Sequence, residues 1–180
     1  MKIRLEEEKD YFMNENLTRE AFWNVYRPGC YEHYILHKIR TDKCYVKELS
    51  YVMEENNRLI GSIVYAKGKV RNENGINEVL LFGPVSILPE YQGAGYGKKL
   101  IKFTLKKAKE LGYPAVVITG KPEYYEKLGF KSASKYNIFY KGMENEENLF
   151  FMVKVLDRHK MKSIYGIYSD PEVYMVDQKD

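Results

Sequence analysis

Cysteine is nearly absent: the 180 residues hold only Cys30 and Cys44. Two thiols cannot frame a small fold, which excludes a disulfide-stapled secreted scaffold. Where a secretory signal would carry its apolar run, Met1-Lys2-Ile3-Arg4 leads into Glu6-Glu7-Glu8. No apolar run approaches the roughly 20 residues of a membrane span, so a cytoplasmic protein with no membrane partner is expected. A basic block is lacking too. The formal charge of +4 comes from scattered lysines balanced by acidic stretches such as residues 144–147, and it gives no indication of a nucleic-acid partner. Internal repeats, low-complexity tracts and linkers are also missing, which predicts one domain over residues 1–180.

What is present suffices for one sizeable core, since 44% of the residues are hydrophobic. Residues 2–5 alternate as a strand, and 16–23 and 30–40 have helical spacing around the turn Arg27-Pro28-Gly29. Residues 48–53 and 59–70, rich in β-branched and aromatic side chains, flank a hairpin turn at Glu54-Glu55-Asn56-Asn57. A second turn, Asn72-Glu73-Asn74-Gly75, feeds the apolar run 79–88. The next unit differs in kind: strand 79–88, a glycine-rich loop, a helix over 95–111, and a strand at 115–119. Ile101, Leu105, Ala108 and Leu111 recur at helical spacing, and Gly112 and Pro114 end the helix. This βαβ order predicts an α/β fold with two parallel strands in a mixed sheet flanked by helices. Further on, Pro122 opens a short helix that Gly129 closes. Phe130, residues 137–140 and residues 149–156 are read as strands, 144–147 as a hairpin tip, and 169–180 as a surface tail.

The loop Gln92-Gly93-Ala94-Gly95-Tyr96-Gly97 carries the chemistry. A helix start presents backbone N–H groups with no intrahelical partner, backed by the positive end of the helix dipole. Gly93, Gly95 and Gly97 remove the Cβ atoms that would keep an anion from those amides, and Lys98 adds a positive charge. A pyrophosphate fits such a cradle, although glycines at a tight strand-to-helix turn need no ligand. Two nucleotide signatures fail by spelling. A dinucleotide fingerprint needs glycine where Lys98 stands and an acidic residue after strand 115–119. A phosphate loop of the form G-x-x-x-x-G-K-S/T fails because Gln92 replaces its first glycine and Lys99 follows Lys98. NAD and ATP are therefore disfavoured. Gly83-Pro84 marks a break in strand pairing, since proline has no N–H to donate. Beyond it, the amides and carbonyls of Val85 and Ile87 would be open to an extended, amide-bearing arm. A loop between two short strands is the plainer alternative.

Residues 85–97 resemble the acetyl-CoA motif of the GNAT superfamily, Q/R-x-x-G-x-G/A after a strand, with Gln92, Gly95 and Gly97 matching. Tyr124-Tyr125-Glu126-Lys127-Leu128-Gly129-Phe130 is similar to that superfamily's F-Y-x-x-x-G-F segment. The resemblance covers about residues 48–156. It implies a mixed sheet splayed between two parallel strands, with acetyl-CoA as co-substrate. Val85, Ser86 and Ile87 would lie along the pantetheine, and Gln92, Gly93, Ala94, Gly95, Tyr96, Gly97 and Lys98 would hold the phosphates. Tyr125 would be the general acid. Residues 1–47 would supply acceptor-side helices and 157–180 a C-terminal tail.

In direct transfer an amine attacks the thioester and coenzyme A leaves as a thiolate. The Ile87 N–H would stabilise the oxyanion, and Tyr125 would protonate the sulfur. With ordinary pKa values near 10 for tyrosine and 8.5 for a thiol, that donation is uphill by roughly 2 kcal/mol unless the site adjusts them. Tyr124 is expected to pack. No general base stands out among Glu78, Glu32, His33 and His37. Cys30, His33 and His37 have a spacing that could bind zinc, but no fourth ligand is evident and no metal is expected. Trp23, Tyr31, Glu32, His33 and His37, with Tyr26 and Tyr34, are instead expected to line the acceptor side. The expected partner is a small-molecule or peptide amine, and a homodimer is compatible with the sequence. The rival expectation is a coenzyme A-binding sensor or partner-binding module without turnover.

Overall fold

The computed structural model describes residues 1–144 and 146–176. Of the acidic stretch read as a hairpin tip, Asn145 lies outside the described residues, as do the last four residues of the tail. In chain order, β1 (Lys2–Leu5) precedes α1 (Tyr11–Phe22) and α2 (Glu32–Ile39). The hairpin strands β2 (Tyr51–Glu55), β3 (Arg58–Asn72) and β4 (Gly75–Ile87) follow. Then come α3 (Tyr96–Glu110), β5 (Ala115–Thr119), α4 (Pro122–Tyr125), β6 (Lys131–Ser132), β7 (Ile138–Tyr140), β8 (Phe151–Val155), α5 (Arg158–Met161) and β9 (Gly166–Ser169). Pairing runs in the order β1-β2-β3-β4-β5-β8-β6, and β9 pairs with both β3 and β7. The sheet is mixed: β4 with β5 and β7 with β9 are parallel, and the other described registers are antiparallel. No helix among the described residues is long and apolar enough to cross a membrane.

The chain divides into two compact units. The first comprises Met1–Ala66, Phe82–Thr104 and the chain from Glu172. Asn56 and Asn57 both have positive φ (48° and 60°), the turn geometry that matches the twist of paired strands, and they join Glu55 to its partner Arg58. Leu36 and Ile39 of α2, Val52 and Met53 of β2, and Ile60 and Ile63 of β3 are buried completely. The core here therefore combines a helix face with a strand pair. Beside it runs a buried polar network. Glu6, 4% exposed, accepts from Asn14 Nδ2 at 2.6 Å and from Arg40 Nη2 at 2.7 Å. Arg40 also donates to Glu15 at 2.5 Å, and the Tyr45 hydroxyl donates to Glu6 at 3.2 Å. Burying these charges is tolerable because each is paired and hydrogen-bonded.

α1 begins five residues before the expected position 16. A 3-10 turn at Glu8–Asp10 leads into it, and the Asp10 carboxylate accepts the Glu7 N–H at 2.9 Å and two bonds from the Arg4 guanidinium at 2.6 and 2.9 Å. The added residues extend the buried stripe to Asn14, Leu17, Thr18 and Ala21, which is i, i+3, i+4, i+7 spacing.

The second unit comprises Lys67–Leu81 and Leu105–Pro171. β5 sits between β4 and β8. Its parallel register with β4 holds Leu80 against Val116 and Leu81 against Val117, and among the described residues it ends there, before Gly83-Pro84. The tight end of α3 explains how the chain returns to β5. Gly112 N donates to Lys109 O and Tyr113 N to Ala108 O, after which Pro114 prevents further helix. Leu111 was expected on the buried face of α3 but is 53% exposed, because it falls in that terminal turn. Leu100 and Thr104 are buried in its place, and Thr104 pairs its hydroxyl with that of Tyr65 at 2.9 Å inside the first unit. The expected tail over 157–180 also needs correction. α5 and β9 fall within it, and Tyr168 of β9 is buried against Phe151.

Candidate functional site

β4 delivers Val85, Ser86 and Ile87 to a 3-10 turn, Pro89–Tyr91, and then to the glycine loop. Leu88 N donates to Ile60 O at 3.0 Å. Successive amides of an extended strand point to opposite sides, so the Ile87 N–H is directed away from β3. The Ile87 carbonyl points the same way and accepts the side-chain amide of Gln92 at 2.9 Å. Ile87 was expected to offer both backbone groups; its carbonyl is already engaged. Gln92 thus joins the strand to its own loop.

Gly93 and Gly95 have φ of 79° and 84°, in the region where other residues are strained, and no heavy atom lies within 4 Å of the position a Cβ would take. The loop is therefore shaped by backbone needs and stays open above its amides. Residues 92–95 are exposed, and Tyr96, Gly97 and Lys98 are half-buried. Lys99 N donates to Gly95 O, so the amides of Tyr96 and Gly97 precede the first intrahelical bond of the fifteen-residue α3. Together with the helix dipole they form an anion-binding geometry.

Ser86 turns the other way. Its hydroxyl lies 2.9 Å from that of Thr18, and both side chains are fully buried. Its backbone, two residues before Leu88, turns toward β3, where the Ser86 carbonyl oxygen lies 3.2 Å from the Cβ position of Gly61. Thr18 belongs to the same stripe of α1 as Asn14, whose Oδ1 it approaches at 3.5 Å, so the Glu6–Arg40 network continues to the strand that ends at Ile87. The opposite face of α1 is exposed. Arg19, Glu20 and Trp23 line a groove of about 520 Å³ with Pro89, two residues beyond Ile87. Only Trp23 of these was singled out from the sequence. The available signal was that buried Thr18 and Ala21 leave positions 19, 20 and 23 to the other side of the helix.

The remaining acceptor-side residues have local partners. Glu32 folds back to accept the Tyr31 N–H at 3.0 Å, and the Arg27 guanidinium lies 5.0 Å from the Tyr31 ring centroid. His37 Nδ1 is 3.1 Å from Glu15 Oε1. His33 Nδ1 is 3.3 Å from Cys30 Sγ. Burial pushes the Cys30 thiol up and, with the nearby charge of Arg19, the His33 imidazole down. Both shifts favour a neutral pair. Among the described residues no three His, Cys, Asp or Glu side chains stand together as metal ligands. Glu78, considered as a base, pairs with Lys67 at 3.2 Å in the second unit.

In the second unit, α4 and the 3-10 turn Glu126–Leu128 present Tyr125, half-buried. Its carbonyl accepts Phe130 N at 3.2 Å, and its ring meets those of Tyr124 and Phe130 edge-on at 5.0 and 5.6 Å. Gly120, just past β5, was not singled out from the sequence. A Cβ there would collide with the Tyr125 ring, so this glycine allows the ring its seat. Tyr124 is half-buried too, and burial raises its pKa.

Residues 46–132 match the family described as Acetyltransferase (GNAT) domain. Over 83 residues the chain is 26% identical to the uncharacterized N-acetyltransferase YjhQ of Escherichia coli K12, covering 46% of each chain. Over 85 residues it is 26% identical to YhbS of the same strain, covering 47% of this chain and 50% of YhbS. These matches span about half the length of either relative. The fold agrees over more of the chain. A structure of Escherichia coli YhbS in complex with CoA superposes with a TM-score of 0.83 at 22% identity, covering 97% of this chain and 92% of that one. A GNAT family acetyltransferase from Brucella melitensis in complex with acetyl-CoA superposes with a TM-score of 0.77 at 24% identity, covering 96% and 97%. Residues 46–132 thus match a GNAT acetyltransferase domain, and the two superpositions show the GNAT fold over nearly the whole chain.

Proposed function

We propose that the protein is an N-acetyltransferase that moves the acetyl group of acetyl-CoA to a primary amine by direct attack. The observation that carries this function is the loop of residues 92–97, whose open, left-handed glycines and helix-start amides suit a pyrophosphate. The CoA and acetyl-CoA bound by the two structural relatives support the same ligand. Gln92, Gly93, Ala94, Gly95, Tyr96, Gly97 and Lys98 would hold the phosphates. The backbones of Val85, Ser86 and Ile87 would lie along the pantetheine.

The ammonium form of the acceptor first loses a proton to water. The neutral amine then attacks the thioester, forming the C–N bond while the carbonyl electrons move to oxygen, where the Ile87 N–H stabilises the charge. Collapse breaks the C–S bond. The nitrogen gives its excess proton to water, and the departing thiolate takes one from Tyr125, which solvent reprotonates. Tyr125 is carried to this role by the likeness of residues 124–130 to the family segment, and its ring is held by Phe130, Tyr124 and the space over Gly120. A cytoplasmic setting suits both substrates.

The test is release of coenzyme A from acetyl-CoA across a panel of amines. Acceptor-dependent release with a matching acetylated product is expected. Binding of acetyl-CoA without release by any amine would make the chain a coenzyme A-binding module. Absence of binding would remove the ligand itself.

A further inference from the structure

The groove beside Pro89 has a composition that narrows the acceptor. Arg19 and Glu20 are neighbours on α1 and both line it, so it offers a cation and an anion from adjacent positions. Among the described residues neither side chain is engaged in an ion pair, and the Arg19 charge also reaches Cys30 and His33. The rest of the lining, Trp23 and Pro89, is apolar, and the Trp23 indole is 55% exposed. A ligand matched to this surface carries a negative group, a positive group and an apolar body. The groove, of about 520 Å³, is within the range of small-molecule sites. A polyamine would meet Arg19 unfavourably and leave it unpaired, and a plain arylamine would offer it nothing.

The position of the groove is fixed. Thr18, one residue before Arg19, is tied to Ser86, one residue before Ile87. Residues 1–45, which supply three of the four lining side chains, lie outside the family match, and Pro89 lies within it.

Building on the acetyl-transfer function, we infer that the acceptor is a free α-amino acid with an apolar or aromatic side chain, bound in the groove of Arg19, Glu20, Trp23 and Pro89. Arg19 holds the α-carboxylate through charge-assisted hydrogen bonds. Glu20 faces the ammonium group until it gives up its proton to water. Trp23 and Pro89 cover the side chain, and the released amine nitrogen is directed toward the thioester at Ile87. Arg19, Glu20 and Trp23 are thus specificity-determining residues.

The test follows coenzyme A release by the intact protein with L-phenylalanine, L-leucine, phenethylamine, L-phenylalanine amide, spermidine and a lysine-containing peptide. The two amino acids should be preferred, with kcat/KM for L-phenylalanine at least tenfold above that for phenethylamine or the amide, which lack the carboxylate. Arg19→Gln should collapse that ratio, chiefly through KM. Trp23→Ala should weaken L-phenylalanine more than glycine, assayed beside the panel as the amino acid without a side chain. Preference for spermidine, the peptide or phenethylamine would overturn the inference, as would an unchanged ratio in Arg19→Gln, and so would a lack of release with either amino acid. Thermal stabilisation by acetyl-CoA, measured in parallel, separates the two levels: if it persists while amino acids fail, the acceptor class is wrong and the acetyl-CoA site stands.

Discussion

The hydroxyls of Thr18 and Ser86 lie 2.9 Å apart with neither side chain exposed, joining the middle of α1 to the strand that precedes the glycine loop. A buried hydroxyl left without its partner bears its full desolvation cost, so this contact fixes one register of helix against strand. Through Asn14 it connects to Glu6 and Arg40, and no buried side-chain polar atom among the described residues is left unsatisfied.

Thr18→Val keeps the shape and strands the Ser86 hydroxyl. The expected loss is about 1–3 kcal/mol, or roughly 2–10 °C in melting temperature for a chain of this size. The double variant with Ser86→Ala should recover part of the loss, since both polar atoms are then gone. Thermal unfolding of the two variants and the wild type checks this, and additive losses would show that the hydroxyls do not interact.

Acetyl-CoA and coenzyme A should raise the melting temperature, and NAD and ATP at equal concentration should do much less. At about 100 times its dissociation constant a ligand adds roughly 2.7 kcal/mol. Differential scanning fluorimetry with the four ligands decides, and equal shifts for all of them would point to non-specific anion binding.

Gly95→Glu puts a side chain and a negative charge over the loop amides at a φ of 84°. The conformational cost is about 1–2 kcal/mol. With no atom within 4 Å of the new Cβ, the fold should survive and coenzyme A affinity should be lost. Gly95→Ala is the control, with similar strain and no charge. Calorimetric titration of both variants is the measurement, and intact affinity in a folded Gly95→Glu variant would place the phosphates elsewhere.

Tyr125→Phe removes one proton from the proposed donor and leaves the ring on Gly120. Turnover should fall about 100-fold or more, with acetyl-CoA affinity changed far less. Tyr124→Phe should lose much less. Steady-state rates across pH for both variants test the assignment, and near-wild-type turnover in Tyr125→Phe would leave the thiolate to depart unprotonated or through water.

The Arg4 guanidinium, bonded twice to Asp10, holds that carboxyl below its ordinary pKa, helped by the Glu7 N–H. A depressed folded pKa gives stability that is complete above the unfolded value, near 3.9, and is lost as pH falls through the folded one. Asp10→Asn should therefore be less stable at pH 7, and the gap should narrow below about pH 4. Urea unfolding between pH 7 and pH 3 would reveal it; a gap independent of pH would mean that Asp10 acts through packing.

Much of the fold was legible where local chemistry is decisive. β5 falls at the expected residues 115–119 because Gly112 and Pro114 mark its start, and the Asn56-Asn57 turn lies where two asparagines adopt positive φ. The onset of α1 was not legible, because its first turn depends on Arg4 reaching Asp10 across six residues and not on helical periodicity. β9 was missed for a similar reason. Four residues, Gly-Ile-Tyr-Ser, have too little pattern to announce a strand, and their order comes from pairing with β3 and β7. At the candidate site, the glycine loop announces itself by composition. The groove does not, since Arg19 and Glu20 read as ordinary surface charges until α1 is laid beside Pro89.

The bond from Gln92 to the Ile87 carbonyl also bears on the protein without its ligand. Where β4 runs past its register with β5, a strand edge displays donors and acceptors in the alternation that a stray chain can copy. Gln92 occupies one acceptor in that row with an amide from the same molecule. A thioester, which asks only for an N–H, can still use Ile87. Another strand needs the carbonyl as well and finds one of its two lone pairs engaged. The edge is left readable by a small ligand and is less well matched to an added strand at Ile87.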